Sequence, residues 1–351
     1  MIATGSWYHA SLDRLLRATQ RNLLGLLLGC YALGGLFPGP GVRLRELTFG
    51  TLQAGGATLA VSVPLALLGF LLFNAGFGAN PEDVRQLWRY PRLLAAGLIA
   101  NAALPVLVAF AVLLGMRAWP EPYEVQSILI GLALIGAMPV AGASTAWAQN
   151  CNGNLALSLG LVVASTLASP LVTPAVLHVV QGVASGDYAE DLGELARSGT
   201  QLFLVVSVVA PAFAGLLMRA VLPARVTRQI RPTLKLANLV ALLVLTYANA
   251  ALALPEVVRS PDLDFLAIII ACMVILCVSA FWLGAYLARA LGGSAADATS
   301  LMFGLGMNNN GAALVLASTA LADHPSVMLP LLTYNLVQQV VAGVFDARAR
   351  C

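Results

Sequence analysis

The sequence predicts an all-α polytopic membrane protein of ten transmembrane helices, built as two inverted five-helix repeats. Three observations carry this. Of 351 residues, 59% are hydrophobic and only 10% are charged, with mean hydropathy +0.85; a soluble domain carries about 25% charged residues. The apolar runs are continuous and rich in Leu and Ala, whereas strands of an outer-membrane barrel alternate apolar and polar residues. Helix-breaking residues interrupt the apolar pattern in two places, Pro139–Thr145 and Gly304–Gly311, roughly half a chain apart and each in the fourth span of a five-span half.

The first apolar run, Leu23 to Leu36, follows Arg14, Arg17 and Arg21. The order is that of a secretory signal, but no small-residue cleavage site precedes the next polar loop, so it is read as a retained span. Trp7, Tyr8, Leu12, Leu15 and Leu16 are spaced for one helical face. They predict a short interfacial helix within an N-terminal segment, residues 1–21. Spans follow at approximately 22–37, 52–76, 91–115, 124–150, 154–182, 199–221, 232–253, 263–290, 297–321 and 326–346, each close to the ~20 residues a bilayer requires. Residues 22–182 form the first repeat and 199–346 the second. Five is odd, so the second repeat enters the membrane upside down, and a pseudo-two-fold axis brings the two interrupted spans together.

Charge fits this count. With the N-terminus in the cytoplasm, only Arg43, Arg45, Arg117, Arg197 and Arg259 of the 19 basic residues fall outside, and both termini lie inside. Asp187, Glu190, Asp191 and Glu194 read as a solvated outer loop. The five cysteines show no metal-ligand spacing and read as small buried hydrophobes plus a tail residue. No cofactor is expected, and a net charge of +3 gives no reason to expect nucleic acid. The lipid bilayer is one partner; oligomeric state is open.

The second interruption reads Gly304-Leu305-Gly306-Met307-Asn308-Asn309-Asn310-Gly311. A helix that stops inside a membrane frees backbone N–H and C=O groups, which is tolerated only in packed protein or beside a water-filled cavity. No Asp, Glu, Lys or Arg falls well inside a span. Uncharged polar residues do: Asn101, Ser144, Thr145, Ser158, Ser165, Thr166, Ser169, Thr173, Asn308 to Asn310, Asn335, Gln338 and Gln339. Their oxygens, with freed carbonyls, are hard ligands suited to a desolvated alkali cation such as Na+. Half-helix N-termini suit an anionic group instead. For the isolated hydroxyls, interhelical hydrogen bonding is the plainer alternative, and Asn238, Asn249 and His178 read as structural. Without an intramembrane carboxylate, proton antiport lacks its carrier. Enzymatic chemistry is not expected, because His9, His178 and His324 all lie at span edges or outside and leave Ser144 without a base.

From Pro139 to Ser158, and through Ala164-Ser165-Thr166-Leu167-Ala168-Ser169-Pro170-Leu171-Val172-Thr173-Pro174-Ala175, the chain resembles spans four and five of the bile acid:sodium symporter family; Asp297 through Asn309 resembles the start of span nine. The resemblance runs over about 22–345. It implies a panel domain of spans 1, 2, 6 and 7 and a core domain of spans 3, 4, 5, 8, 9 and 10, with broken helices 4 and 9 crossing near the midplane. It also implies transport of an organic anion by alternating access, with Na+ as the coupling ion, in a bacterial inner (plasma) membrane.

Carried over by position, one sodium site would use Ser144, Thr145, Ser158, Val162 and Gly304. A second would use Asn101, Gly304, the carbonyls of Leu305 and Met307, and Asn308. Substrate would meet Asn309, Asn310, Gln338 and Gln339. Two positions depart from the family: Gly304 stands where a glutamate serving both sites is usual, and Val162 replaces a hydroxyl. The expectation is a secondary transporter of a bile-acid-like molecule, steroid conjugate or small organic acid, coupled to fewer sodium ions or to none. The alternative is a binding or sensor protein of transporter ancestry.

Overall fold

The computed structural model describes residues 22–54, 57–79, 89–117, 119–197 and 200–349, together with Thr19 and Glu82. The proposed interfacial helix with Trp7, Tyr8, Leu12, Leu15 and Leu16 lies outside the described residues. In chain order come α1 (Leu23–Leu36), α2 (Pro38–Glu46), strands β1 (Thr48–Ala54) and β2 (Ala57–Ser62), then α3 (Val63–Gly78), α4 (Pro91–Gly115), α5 (Pro122–Ala137), α6 (Ala143–Asn150), α7 (Leu155–Gln181) and α8 (Asp187–Arg197). The rest is α9 (Thr200–Val221), α10 (Ala224–Arg259), α11 (Leu263–Ala290), α12 (Ala295–Gly306), α13 (Asn310–Ala320) and α14 (Met328–Ala349).

The chain is a polytopic, almost wholly helical membrane protein. Among the described residues six helices are long and apolar enough to cross a bilayer, or seven if the pair α1 and α2, bent by 90°, is one span; α3, α5 and α13 are shorter apolar helices.

Three expectations need correction. Residues 52–54 and 57–62 are not the start of a helix. They belong to two antiparallel strands in which Leu52 faces Leu59 and Gln53 faces Thr58. Thr48, Thr51, Thr58 and Val61 are β-branched and Gly50 adopts φ 143°, so the segment suits strands better than a helix. The helix begins only where Ser62 caps it, its hydroxyl accepting from Leu65 N–H at 3.4 Å, with Pro64 in the first turn. Second, the acidic segment after Gly186 is the helix α8 rather than a loop; Leu192 and Leu195 are buried beneath its charged face. Third, α10 extends from Ala224 to Arg259, well beyond the expected 232–253. Pro232 and Pro255 lie inside it, and its charged ends continue the helix past the apolar run.

Helix α5 is the centre of the molecule, buried at every residue from Glu124 to Ala137. A helix apolar all round is one surrounded by protein. The helices α4, α7 and α14 pack against it, and α11 and α12 pack on these in turn, while α1, α3, α9 and α10 pack chiefly among themselves. Helices α3 and α9 approach backbone to backbone: a Cβ at Gly76 would collide with the carbonyl of Ala212. Within α9 a single π-helical turn, Val205–Val209, interrupts the α-helix, and Ser207 Oγ donates to the Phe203 carbonyl there. At the other edge, Arg45 of α2 donates to Asn249 Oδ1 of α10 at 2.7 Å.

Candidate functional site

The two interruptions meet. Helix α5 ends at Ala137 and α6 begins at Ala143; α12 ends at Gly306 and α13 begins at Asn310. The unwound stretches run antiparallel as a two-residue bridge, Val140 opposite Asn308. Ala141 N–H donates to the Met307 carbonyl at 2.8 Å, and Asn309 N–H to the Pro139 carbonyl at 2.9 Å. The backbone groups freed by one break are thus partners for those freed by the other, which is what an apolar surrounding demands.

Side chains from neighbouring helices supply the rest. Asn101 Nδ2 of α4 donates to the Met138 carbonyl (3.3 Å) and Asn308 Nδ2 to that of Ile135 (2.9 Å). Thr173 Oγ1 of α7 donates to the Ala137 carbonyl at 2.5 Å, and Ser165 Oγ accepts from Val140 N–H at 3.0 Å. Tyr334 of α14 donates its hydroxyl to the Gly306 carbonyl at 3.3 Å.

Against this bonded background some atoms stand out. Asn101 Oδ1, Ser144 Oγ, Asn308 Oδ1 and both polar atoms of Asn310 are buried with no hydrogen-bond partner. Buried polar groups in folded proteins are nearly always bonded, so each orphan needs a partner such as water or an ion. Four are oxygens on residues at or against the crossing. The Leu305 carbonyl joins them, because its helical partner would be the N–H of Asn309, which is given to Pro139. The carbonyl of Met307 accepts from Ala141 and keeps a second lone pair.

The expected sodium ligands therefore separate into two groups. Asn101, Leu305, Met307 and Asn308 gather at the crossing. Ser144, Thr145 and Ser158 lie one turn away, where Ser158 Oγ donates to Thr145 Oγ1 at 3.3 Å. Gly304 does not open onto a polar space. A Cβ there would stand 2.7 Å from Leu161 Cδ1, and Leu161 is fully buried in an apolar cluster with Val140, Leu157, Leu301 and Leu305, Val162 packing against it.

The expected substrate residues divide as well. Asn309 caps α13, its Oδ1 accepting from Ala312 N–H at 3.2 Å. Asn310, 1% exposed, is the first residue of that helix and has its whole amide unpartnered. Gln338 reaches the crossing, Oε1 accepting from Asn308 N–H at 3.1 Å. Gln339 lies about 100° further round α14, half-buried, and cannot face the same point.

Sequence reasoning missed how far Gln338 extends. Its Nε2 donates to Asn335 Oδ1 (3.3 Å), Asn335 Nδ2 to Tyr31 Oη (3.1 Å), and Tyr31 Oη to the Leu332 carbonyl (3.3 Å). The i, i+3 spacing of Asn335 and Gln338 was the only signal; nothing marked Tyr31. A second network was also hidden. The buried Asp297 accepts from Ser294 N–H (2.9 Å) in a capping box and from Asn154 Nδ2 (2.7 Å), tying the start of α12 to the start of α7.

A family model described as the Sodium Bile acid symporter family matches residues 65–260, more than half of the chain. The uncharacterized sodium-dependent transporter YocS of Bacillus subtilis (strain 168) is 31% identical over 99 residues, 28% of this chain and 29% of YocS. The alignment thus spans under a third of that relative. The uncharacterized protein YbaS of the same organism is 25% identical over 288 residues, 80% of this chain and 86% of YbaS.

Proposed function

The chain belongs to the sodium bile acid symporter family, a family of membrane transporters rather than enzymes, and on that premise we propose that it carries a small organic anion by alternating access with reduced sodium coupling. The observation that carries the reading is the crossing of two unwound helices lined by orphaned neutral oxygens. In this reading the chain crosses the membrane ten times as two inverted repeats, with both termini in the cytoplasm of a bacterial cell. The mutual packing of α1, α3, α9 and α10 supports a panel, and that of α4 to α7 and α11 to α14 supports a core.

One Na+ is held by Asn101 Oδ1, Asn308 Oδ1 and the carbonyls of Leu305 and Met307. All are neutral oxygens, so their dipoles alone offset the lost hydration. A second ion beside Ser144, Thr145 and Ser158 is disfavoured, because Leu161 occupies the space a carboxylate at position 304 would need. The substrate anion lies at the N-terminus of α13, where the positive end of the half-helix dipole and the buried, unpartnered Asn310 amide favour negative charge. Asn309 and Gln338 border this position, while Gln339 faces away from it.

Uptake of an organic-acid panel into proteoliposomes, with and without a sodium gradient, tests the proposal. The panel is first screened by ligand-induced thermal stabilisation of the purified protein. Uptake should occur, with a Hill coefficient for sodium of about one or no sodium dependence. A coefficient of about two would overturn the reduced stoichiometry. Tight binding without flux would favour a non-translocating binding protein.

A further inference from the structure

Away from the crossing, buried side-chain atoms without a hydrogen-bond partner are few among the described residues: Thr200 Oγ1, Asp191 Oδ2 and His324 Nε2. The last two face each other. His324 Nε2 lies 3.2 Å from Asp191 Oδ2 and 3.8 Å from Asp323 Oδ2. One ligand atom from each of the three residues falls within 4.8 Å of the others. Asp191 belongs to α8, between the repeats, while Asp323 and His324 sit in the turn between α13 and α14.

The separation of 3.2 Å is short enough for a hydrogen bond, yet none forms. At that distance a missing bond means that donor and acceptor directions do not meet. The Asp191 oxygen, and the His324 nitrogen in the neutral tautomer that protonates Nδ1, each keep a lone pair for a cation. Two ligands bound at 2.0–2.2 Å to one tetrahedral ion stand about 3.4 Å apart, close to the spacing of this pair. Asp323, whose side chain is 73% exposed, needs only a rotamer adjustment to close its 3.8 Å to the same spacing.

We propose that His324, Asp191 and Asp323 form a binding site for a divalent transition cation of the Zn2+ class on the loop-side face of the protein. One imidazole and two carboxylates suit Zn2+, which prefers four ligands, and leave one position for water. Ca2+ and Mg2+ require six or more oxygens, which three protein groups do not supply. The imidazole is held from behind. Tyr188 lies against its ring with centroids 4.2 Å apart, and the Tyr188 hydroxyl is within 3.3 Å of Ser127 Oγ, itself 2.9 Å from Ser326 Oγ. Bound metal would tie α8 to the turn that starts α14, joining the segment between the repeats to the outer end of the second one.

The test uses the full-length purified protein and Zn2+ itself, titrated in competition with a chromophoric chelator, with the unfolding midpoint as a second readout. One Zn2+ per chain should bind, and the midpoint should rise with Zn2+ but not with Mg2+ or Ca2+. His324→Gln and Asp191→Asn should weaken binding by at least the roughly 10- to 100-fold that loss of an outer-shell partner costs. The exposed Asp323→Asn leaves the packing untouched and should also weaken it, which keeps the test decisive if the other two variants fold poorly. No stoichiometric binding by the wild type, equal binding by Asp323→Asn, or equal stabilisation by Mg2+ would each overturn the site and leave an ordinary ion pair.

Discussion

Gly304 and Leu161 decide what kind of cation site the core can hold. The missing side chain at 304 is legible in the sequence; its replacement by Leu161 is not, because nothing local links a leucine of α7 to a glycine of α12. The pair invites a double-mutant cycle. Gly304→Ala forces the Leu161 side chain to move from 2.7 Å and should cost about 1–3 kcal/mol. Leu161→Ala alone should cost about 2–5 kcal/mol through the cavity it leaves. Combined, the two should cost less than their sum, read as the shift in thermal unfolding midpoint. Strict additivity would show that the residues do not share this space. Asn309 teaches the same lesson. The Asn run announced polar chemistry at a helix break, yet one of the three oxygens is the cap of α13. Asn309→Ala should therefore lower stability by about 0.5–2 kcal/mol with or without ligand, while Asn309→Ser largely keeps it. A thermal melt in the absence of any organic acid is the check.

The elements show where pattern reading works and where it stops. Helices α4 and α11 lie where the apolar runs place them, because a bilayer-length apolar run has no other way to satisfy its backbone. The strand pair before α3 was missed for the opposite reason. Residues 52–62 are apolar enough for a span, and hydropathy does not separate strand from helix in so short a run. Within α3 two glycines make a further contrast. A Cβ at Gly69 meets only Pro211 Cγ at an ordinary 3.5 Å, whereas at Gly76 it meets backbone of α9 that cannot step aside. Gly69→Ala should be neutral or stabilise by up to about 1 kcal/mol. Gly76→Ala should destabilise by about 1–3 kcal/mol or more, seen as a lower melting temperature and loss of monodisperse protein. Equal behaviour of the two would refute the close α3–α9 crossing.

At the scale of the whole molecule, one chain of hydrogen bonds links the crossing to α1. It runs from Asn308 through Gln338 and Asn335 to Tyr31. If α1 moves with α3, α9 and α10 against the remaining helices during transport, Tyr31 sits on the moving boundary. Tyr31→Phe removes its bonds to Asn335 and Leu332, worth about 1 kcal/mol net, and should shift the balance of inward- and outward-facing states roughly fivefold. Distance distributions between labels on α10 and α11 would report it; an unchanged distribution would place the boundary elsewhere. The amino-acid sequence by itself determined that the chain lives in a membrane, that two helices break, and that no charge lies well inside a span. Each follows from the intolerance of lipid for charge and open backbone, a constraint that acts residue by residue. Only the tertiary structure decided that Val140 pairs with Asn308, that Leu161 fills the place beside Gly304, and that Asp191 meets His324. Those contacts join residues far apart in the chain, and long-range packing selects them where no local property can.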